Sequence, residues 1–255
     1  MSTSQRSVRR KVPWLGAAVV VSLAATALMA LVIAPPDASQ GDAQRLMYLH
    51  VPAAWLAYLA FAVTAIASVL WLLPRTRSIA WDLLAGASAE IGVLFTGLTL
   101  AMGSIWGRPI WGSWWEWDAR LTTTAVLFFL YLGYLALRRA GGSPDARAKR
   151  SAIAALVAFV DVPIVHFSVN WFATLHQQGT VFNAKMQVEI SGTMAATLVL
   201  AVVAFTLLYG YLVVRRMELL RLEEGFEERG LARAIAERVA QESPEVLAGV
   251  EMETV

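Results

Sequence analysis

The 255-residue sequence contains no cysteine, and this absence excludes several kinds of chemistry. Without cysteine the chain forms no disulfide, performs no thiol redox reaction and offers no thiolate to a metal ion. The sequence also has no GxxxxGK[ST] run, so it lacks the phosphate-binding loop that many ATP-hydrolysing proteins use. Any step driven by ATP would therefore need a partner protein.

Charged side chains are also scarce, at 16% of residues, whereas 58% of residues are hydrophobic. This composition is too apolar for a soluble domain of this length. One membrane-spanning helix needs about 20 apolar residues, and six runs of about this length cover approximately 14–33, 52–73, 83–103, 121–137, 152–171 and 192–214. The sequence thus predicts an all-α integral membrane protein with a six-span domain over 1–215. A charged helical tail is predicted over 216–255.

The positively charged residues are distributed unevenly between the two sides of this predicted layout. Of the 21 Lys and Arg residues, 17 lie in the segments 1–13, 74–82, 138–151 and 215–255. The other four are Arg45, Arg108, Arg120 and Lys185. Because cytoplasmic segments of membrane proteins are enriched in Lys and Arg, both termini are predicted to be cytoplasmic. The predicted loops on the opposite side are 34–51, 106–120 and 172–190.

The stretch 106–120, which reads WGRPIWGSWWEWDAR, is predicted to be a loop or a shallow interfacial segment between the third and fourth spans. It contains half of the ten tryptophans, namely Trp106, Trp111, Trp114, Trp115 and Trp117. Trp is enriched at both membrane interfaces because its ring is amphipathic, so an ordinary interfacial belt is one interpretation. A belt spreads its aromatic residues over all helix ends, whereas here they are concentrated in one segment. We therefore favour a binding surface for a large flat ligand with anionic edges, flanked by Arg108, Arg120, Glu116 and Asp118.

All three histidines are predicted to lie on the same side as this tryptophan-rich stretch. His50 lies at the mouth of the second span, His166 in the outer half of the fifth span, and His176 in the loop that follows it. Each histidine alone is most simply a hydrogen-bonded structural residue, but their joint placement indicates a metal site. We expect His166 to be a packing residue rather than a ligand.

The identity of the metal can be argued from the ligands that the sequence offers. A catalytic zinc site requires three protein ligands, and the third would have to be His166 or a carboxylate. Copper sites usually add Cys or Met; cysteine is absent and no Met cluster lies on this side. Haem needs only one or two axial side chains, because the porphyrin supplies four nitrogens. The residues therefore indicate a haem site on the non-cytoplasmic side, with His50 and His176 as ligands.

Three segments, in order along the chain, resemble one known family. The segment WGSWWEWDARLT closely resembles the tryptophan-rich "WWD" signature of haem-handling membrane proteins. The segments YLHVPAAW, over 48–55, and PIVHFSVNWFATLHQ, over 163–177, resemble the haem exporter protein C family of cytochrome c maturation. The resemblance covers roughly residues 40–215 and includes the six-span layout. The sequence departs from the family pattern after His176, where Gln-Gln-Gly stands instead of Gln-Gly, and this leaves the geometry of the following loop open.

The resemblance implies a protein that binds and transfers haem without bond-breaking chemistry, and therefore not an enzyme. It implies that His50 and His176 are the axial ligands of haem b and that residues 114–118 form the core of a haem platform. The residues expected to contact haem are His50, His176, Trp106, Trp111, Trp114, Trp115, Trp117, Asp118, Arg108 and Arg120, with the two arginines placed near the propionates.

The resemblance also implies a cellular context. Haem would be bound at the periplasmic face of the bacterial inner membrane and delivered to a periplasmic haem chaperone, which passes it to apocytochrome c. The partners would be this chaperone, a small single-span subunit, and the permease and ATPase subunits of an ABC transporter.

Two other functions fit parts of the sequence. A transporter that moves haem or another solute across the bilayer is favoured by Glu90, Asp161 and Pro163, because buried charges and broken helices mark transport sites. A quinone-linked membrane cytochrome would need ligands within the bundle, where only His166 is available. The candidate ligands lie at one face rather than at the midplane, and this favours delivery.

Overall fold

The computed structural model describes residues 3–176, 190 and 192–252, with side chains described over 13–239 of these ranges except at 227, 228 and 231. Lys185 and the Gln-Gln-Gly run that follows His176 lie outside the described residues. The chain divides into two compact units, 1–214 and 215–255. The second unit is helical and carries ion pairs such as Arg215–Glu218 and Arg233–Glu237, each at 2.8 Å.

The described part of the chain is helical and contains no β-strand. Its α-helices are α1 Thr3–Leu28, α2 Met47–Leu72, α3 Ile79–Trp111, α4 Ala119–Arg139, α5 Pro144–Phe159, α6 Asp161–Trp171 and α7 Gly192–Met252. A π-helical turn, Met29–Ile33, continues α1, and a 3-10 helix, Asp42–Leu46, leads into α2.

Six helical segments are long and apolar enough to cross a membrane. They are Pro13–Ile33, Asp42–Leu72, Ile79–Trp111, Ala119–Arg139, Pro144–Trp171 and Gly192–Phe226. The predicted all-α fold with six membrane-spanning helices is therefore confirmed. The fifth span is interrupted near Asp161 and Pro163, the two residues that favour a broken helix in the sequence, since α5 ends at Phe159 and α6 begins at Asp161. Pro163 lies in the first turn of α6, where its missing N–H has no intrahelical partner to lose.

The third span is longer than the sequence predicts, and the prediction that 106–120 is a loop is wrong for its first part. Helix α3 continues to Trp111, so that Trp106 and Arg108 lie on a helix and only residues 112–118 connect it to α4. The predicted end at 103 followed the loss of apolar residues. The real end is set by Gly112, which adopts a left-handed conformation with φ +82° and donates its N–H to the Arg108 carbonyl.

The start of α2 also differs from the prediction. The helix begins at Met47, so His50 lies within its first turns and not in the loop 34–51. The predicted span begins at Pro52. The 3-10 helix before Met47 instead leads the chain into helical conformation five residues earlier.

The core of the membrane unit is the interface between α2 and α3, which is rich in small buried residues. Small side chains let membrane helices approach closely and exchange side-chain hydrogen bonds. Ser88 on α3 donates to the Ala60 carbonyl on α2 at 2.7 Å, and Thr64 on α2 donates to the Ala85 carbonyl on α3 at 3.4 Å. These contacts hold α2 and α3 in one register, and this register places the start of α2 beside the end of α3.

Gly92 is a position where this close approach leaves no room for a side chain. A Cβ at Gly92 would lie 2.5 Å from Cε1 of Phe61, which is fully buried and stacked on Tyr131 with ring centroids 3.7 Å apart. Because Phe61 has no free space to move into, Gly92→Ala is expected to lower the free energy of unfolding by about 1–3 kcal/mol. Thermal unfolding of the detergent-purified protein measures this change.

Gly133→Ala is the matched control for this substitution. Gly133 lies in α4, and no heavy atom lies within 4 Å of the Cβ that alanine would add. This variant is expected to keep or slightly raise the stability, because alanine restricts the unfolded chain more than glycine does. Equal melting temperatures for the two variants would contradict the tight contact at Gly92.

Candidate functional site

His50 and His176 come together, although they lie far apart in the sequence. Their ring centroids are 6.4 Å apart and their planes differ by 36°. A metal ion held between two imidazoles would separate the ring centroids by about 6 Å, because each metal–nitrogen bond is about 2 Å long and about 1 Å of ring lies behind each nitrogen. The observed separation therefore fits a single iron bound between the two side chains.

His50 is held by α3. Its ring contacts Trp106 edge-on, with centroids 5.7 Å apart and planes at 72°. It also lies directly over Gly103, where an added Cβ would be 2.9 Å from the ring atom Cε1. The Nδ1 atom of His50 is buried and makes no hydrogen bond with the described residues. A buried polar atom without a partner is costly, and binding of a ligand at this place would offset that cost.

His176 lies five residues beyond the end of α6, in a segment without regular secondary structure. Its ring is near Trp111 on α3, with centroids 6.4 Å apart and planes at 58°. Its backbone N–H donates to Oγ1 of Thr174 at 3.0 Å. The Thr174 hydroxyl in turn donates to Oδ2 of Asp118. His176 thus contacts both ends of the connection between α3 and α4: its ring lies near Trp111, and its backbone is linked through Thr174 to Asp118.

The five tryptophans of the stretch fall into two groups. Trp106 and Trp111, on the last turns of α3, make the ring contacts to His50 and His176 described above. The other three lie in the connection to α4, where Trp114 is 59% exposed and Trp117 is 83% exposed. Trp115 packs edge-on against Trp117 with centroids 5.6 Å apart. The helical tryptophans therefore line the histidine pair, while two tryptophans of the connection present their rings at the surface.

Trp106 is anchored by the loop that precedes α2. Its Nε1 donates to Oε1 of Gln40 at 3.0 Å. Gln40 is itself fixed by Asp37, whose Oδ1 accepts from the backbone N–H groups of Ser39 and Gln40 and from the Ser39 hydroxyl. These hydrogen bonds, the Ser39 hydroxyl first, hold the pKa of the Asp37 carboxyl below its usual value. A local turn motif thereby fixes the tryptophan that contacts His50.

The two arginines predicted to contact anionic groups have different surroundings. Arg108 is exposed, donates to the Gly112 carbonyl at the end of α3, and lies 6.0 Å from the ring of Trp114. Arg120 is half-buried and donates from Nη2 to the His166 carbonyl at 2.6 Å. Its Nε is buried and has no hydrogen-bond partner within the described chain. Arg120 therefore has a free donor of the kind that binds carboxylates.

Asp118, which is predicted to contact the ligand, has a structural role through both of its carboxylate oxygens. Its Oδ1 caps α4 by accepting from the Leu121 N–H at 2.8 Å, and its Oδ2 accepts from Thr174.

Arg45, a positive residue predicted to lie on the same side of the membrane as the tryptophan-rich stretch, also has a structural role. It donates to the carbonyls of Ala30 and Ala34, which end the π-helical turn after α1.

His166 lies on α6. The described ring contacts of His50 and His176 do not include it. Its ring is exposed and packs edge-on against Tyr58, with centroids 6.1 Å apart. Among the residues that the structure describes, no group of three or more His, Asp or Glu side chains could hold a metal ion. The described residues therefore do not offer the third protein ligand that a zinc site would need.

Two residues that matter to the arrangement were missed from the sequence, namely Gly103 and Thr174. A threonine two residues before His176 is a recognisable turn signal, because its hydroxyl commonly accepts from a backbone N–H two residues on. Gly103 carries no such signal, because its importance comes from the ring of His50, which lies on α2.

Comparison with known proteins gives one consistent result. Residues 2–230 match the protein family described as Heme exporter protein C. The chain is 42% identical over 217 residues to the Heme exporter protein C of Bradyrhizobium diazoefficiens, covering 83% of this chain and 80% of that protein. It is 40% identical over 209 residues to the Heme exporter protein C of Escherichia coli K12, covering 81% and 82%. A ccmC-like mitochondrial protein of cytochrome c biosynthesis from Marchantia polymorpha is 43% identical over 159 residues, covering 62% of this chain and 66% of that protein.

Proposed function

The chain belongs to the Heme exporter protein C family, and from this premise we propose that it binds haem b between His50 and His176 and delivers it to a periplasmic haem chaperone. The observation that carries the proposal is the pairing of the two histidine rings at 6.4 Å beside Trp106 and Trp111. The protein is a multi-pass membrane protein that takes part in haem handling for cytochrome c maturation. Haem is its cargo, and the proposed work is binding and transfer without bond-breaking chemistry.

The two imidazoles account for how the cargo is held. Two axial histidines keep haem iron six-coordinate, which leaves no open position for reaction with oxygen or peroxide. His50 is fixed on a helix, whereas His176 lies on an irregular segment. His176 would therefore be the ligand that is released first, and the bond to His50 would break as haem passes to the chaperone.

Arg120 and Arg108 are proposed to bind the propionates. The buried Nε of Arg120 supports this role, since a carboxylate would give it the partner that it lacks within the described chain. Arg108 is exposed and already donates to Gly112, so its contact would be the weaker of the two.

The exposed tryptophans are proposed to keep one edge of the haem accessible to the chaperone. Trp114 and Trp117 present large aromatic surfaces in the connection between α3 and α4. Clustered exposed aromatic residues are typical of binding surfaces. The three tryptophans of the connection would therefore cover one part of the haem and leave an edge open to the chaperone.

The orientation and the partners follow from the charge distribution and from the family. The excess of Lys and Arg in the terminal segments and in the loops 74–82 and 138–151 supports cytoplasmic termini, which puts residues 112–118 and His176 on the periplasmic side of the bacterial inner membrane. Because the chain has no phosphate-binding loop, ATP hydrolysis would come from the ATPase of an ABC transporter, acting with its permease and a small single-span subunit.

One observation favours a second candidate function, the movement of haem or another solute across the bilayer. Asp161 is 9% exposed, lies at the break between α5 and α6, and has a buried Oδ2 atom without a hydrogen-bond partner in the described chain. Buried acids at helix breaks are common in transporters. Delivery is favoured because the histidine pair lies at the ends of α2, α3 and α6 rather than at this break.

A transfer experiment tests delivery against transport. Haem-loaded protein in lipid nanodiscs is mixed with the soluble domain of the periplasmic haem chaperone, and haem on the chaperone is followed by absorption. Delivery predicts that haem leaves the membrane protein only when the chaperone is added. In sealed liposomes, haem that accumulates in the lumen without a chaperone would contradict delivery and support transport.

Trp117→Ala is expected to lower the affinity for haem by about five- to ten-fold, because an aromatic contact contributes about 1 kcal/mol beyond its buried area. Titration of the purified variant with haem measures the change. The matched control is Trp14→Ala, since Trp14 is 81% exposed on α1, compared with 83% for Trp117, and lies outside the tryptophan-rich stretch. An affinity that falls equally in both variants would show that loss of a surface tryptophan, and not loss of a haem contact, is responsible.

A further inference from the structure

The segment that carries His176 has no regular secondary structure to hold it. Helix α6 ends at Trp171, Phe172 is extended with φ −128° and ψ 153°, and no helix or strand follows before His176. A ligand on such a segment keeps a fixed position only if hydrogen bonds from the segment to a rigid element replace the missing secondary structure.

Thr174 supplies these hydrogen bonds through a single hydroxyl group. A threonine hydroxyl donates one hydrogen bond and accepts others. Here Oγ1 accepts from the backbone N–H of His176 at 3.0 Å and donates to Oδ2 of Asp118. The position of the His176 backbone is therefore coupled to the position of the Asp118 carboxylate.

Asp118 is in turn fixed by a helix. It is the N-cap of α4, and its Oδ1 accepts from the Leu121 N–H at 2.8 Å. The positive end of the helix dipole also attracts a negatively charged side chain at this place. A continuous chain of hydrogen bonds thus runs from the rigid start of α4 to the ligand segment. It begins at the Leu121 N–H and passes through Asp118 and Thr174 to the His176 N–H.

This arrangement changes the role of the acidic residue in the tryptophan-rich stretch. The sequence predicts Asp118 as part of the surface that touches haem. Both of its oxygens, however, accept hydrogen bonds from the protein. A carboxylate that contacted the anionic edge of haem would also repel the propionates.

We infer that Asp118 and Thr174 are positioning residues that set the strength of the His176–iron bond. The inference rests on the proposed function, in which His176 is a haem ligand. Thr174 transmits the position of the α4 N-terminus to the His176 backbone, and Asp118 acts on haem only through Thr174. Weakening this chain of hydrogen bonds loosens His176 without removing either axial ligand.

Cyanide binding to the ferric haem of the full-length, haem-loaded protein measures this effect, because cyanide competes with a protein ligand for one axial position. In Thr174→Val, which keeps the shape of the side chain but removes the hydroxyl, the affinity for cyanide is expected to rise by at least about five-fold, the effect of losing one ordinary hydrogen bond, because the hydroxyl makes two. In Thr174→Ser, which keeps the hydroxyl, it is expected to equal that of the wild type. A rise in both variants, or in neither, would overturn the inference.

Asp118→Ser provides an independent measurement that also serves if Thr174→Val does not accumulate. Serine can keep the cap of α4 through its hydroxyl but has no second oxygen to accept from Thr174, so the cyanide affinity is expected to rise here too. In the Thr174→Val background the same substitution is expected to have no further effect, because the two residues act in one chain. Additive effects of the two substitutions on the cyanide affinity would contradict the inference that both residues act through one chain of hydrogen bonds.

His176→Ala separates this inference from the proposed function. If His176→Ala leaves the cyanide affinity unchanged, His176 is not a ligand and the proposed function fails at this residue. If His176→Ala raises the affinity while Thr174→Val does not, the ligand is confirmed and only the positioning role is wrong.

Discussion

His50→Ala is expected to lower the affinity for haem by at least about ten-fold, since loss of a metal ligand costs at least as much as loss of the outer partners that orient one. His50 is the more rigid of the two proposed ligands, because it lies within the first turns of α2 and its ring is packed between Trp106 and the surface at Gly103. Without it, the remaining ligand lies on an irregular segment. Titration of the purified variant with haem, together with the haem content after purification, measures the loss.

The matched control is His166→Ala. This histidine is exposed and its ring packs on Tyr58 and Phe167, so its removal is expected to leave haem binding unchanged. His176→Ala is expected to bind haem more weakly than the wild type and to give five-coordinate, high-spin iron. Haem content that stays at the wild-type level in both His50→Ala and His176→Ala would refute ligation by this pair.

Asp82→Asn is expected to lower the free energy of unfolding of the membrane unit by about 3–5 kcal/mol, the usual cost of breaking a buried ion pair by removing one partner. Asp82, in the first turn of α3, accepts two hydrogen bonds from Arg138 in the last turn of α4, at 2.6 and 3.0 Å. Their side chains are only 8% and 13% exposed. Gly86 makes room for the guanidinium, since a Cβ there would lie 2.8 Å from Arg138 Nε.

Denaturant unfolding of the detergent-purified protein measures this loss, and two variants serve as controls. Glu218→Gln removes a partner of Arg215 from an ion pair that is 52% and 30% exposed, and it is expected to change stability little. The double variant Asp82→Leu/Arg138→Leu removes both charges and is expected to recover most of the loss, because no buried charge is left unpaired. A double variant as unstable as Asp82→Asn would mean that side-chain volume, and not the unpaired charge, is responsible.

The membrane-spanning part of the fold could be predicted from the sequence because length and hydropathy determine it. The errors concern helix ends, where hydropathy carries little information. Helix α3 continues to Trp111 because Gly112 provides the left-handed cap, although the apolar pattern stops near Gly103. Helix α2 begins at Met47 because a 3-10 helix precedes it.

The histidine pair could be predicted because His50 and His176 both lie at the ends of spans on one side of the membrane. The roles of Asp118 and Thr174 could not be predicted, because a hydrogen bond between two residues that far apart in the chain leaves no local pattern. The role of Arg45 could not be predicted for the same reason. Its side chain donates to carbonyls at the end of the π-helical turn, which lie more than ten residues away in the chain.

The measurement that tests the central claim most directly is the absorption and electron paramagnetic resonance spectrum of the purified full-length protein, loaded with haem, in the ferric and ferrous states. Ligation by His50 and His176 predicts one haem per chain with a low-spin, six-coordinate, bis-imidazole signature in both states. A wild-type protein that binds no added haem, or that binds it only in a high-spin form, would contradict a haem held between these two histidines.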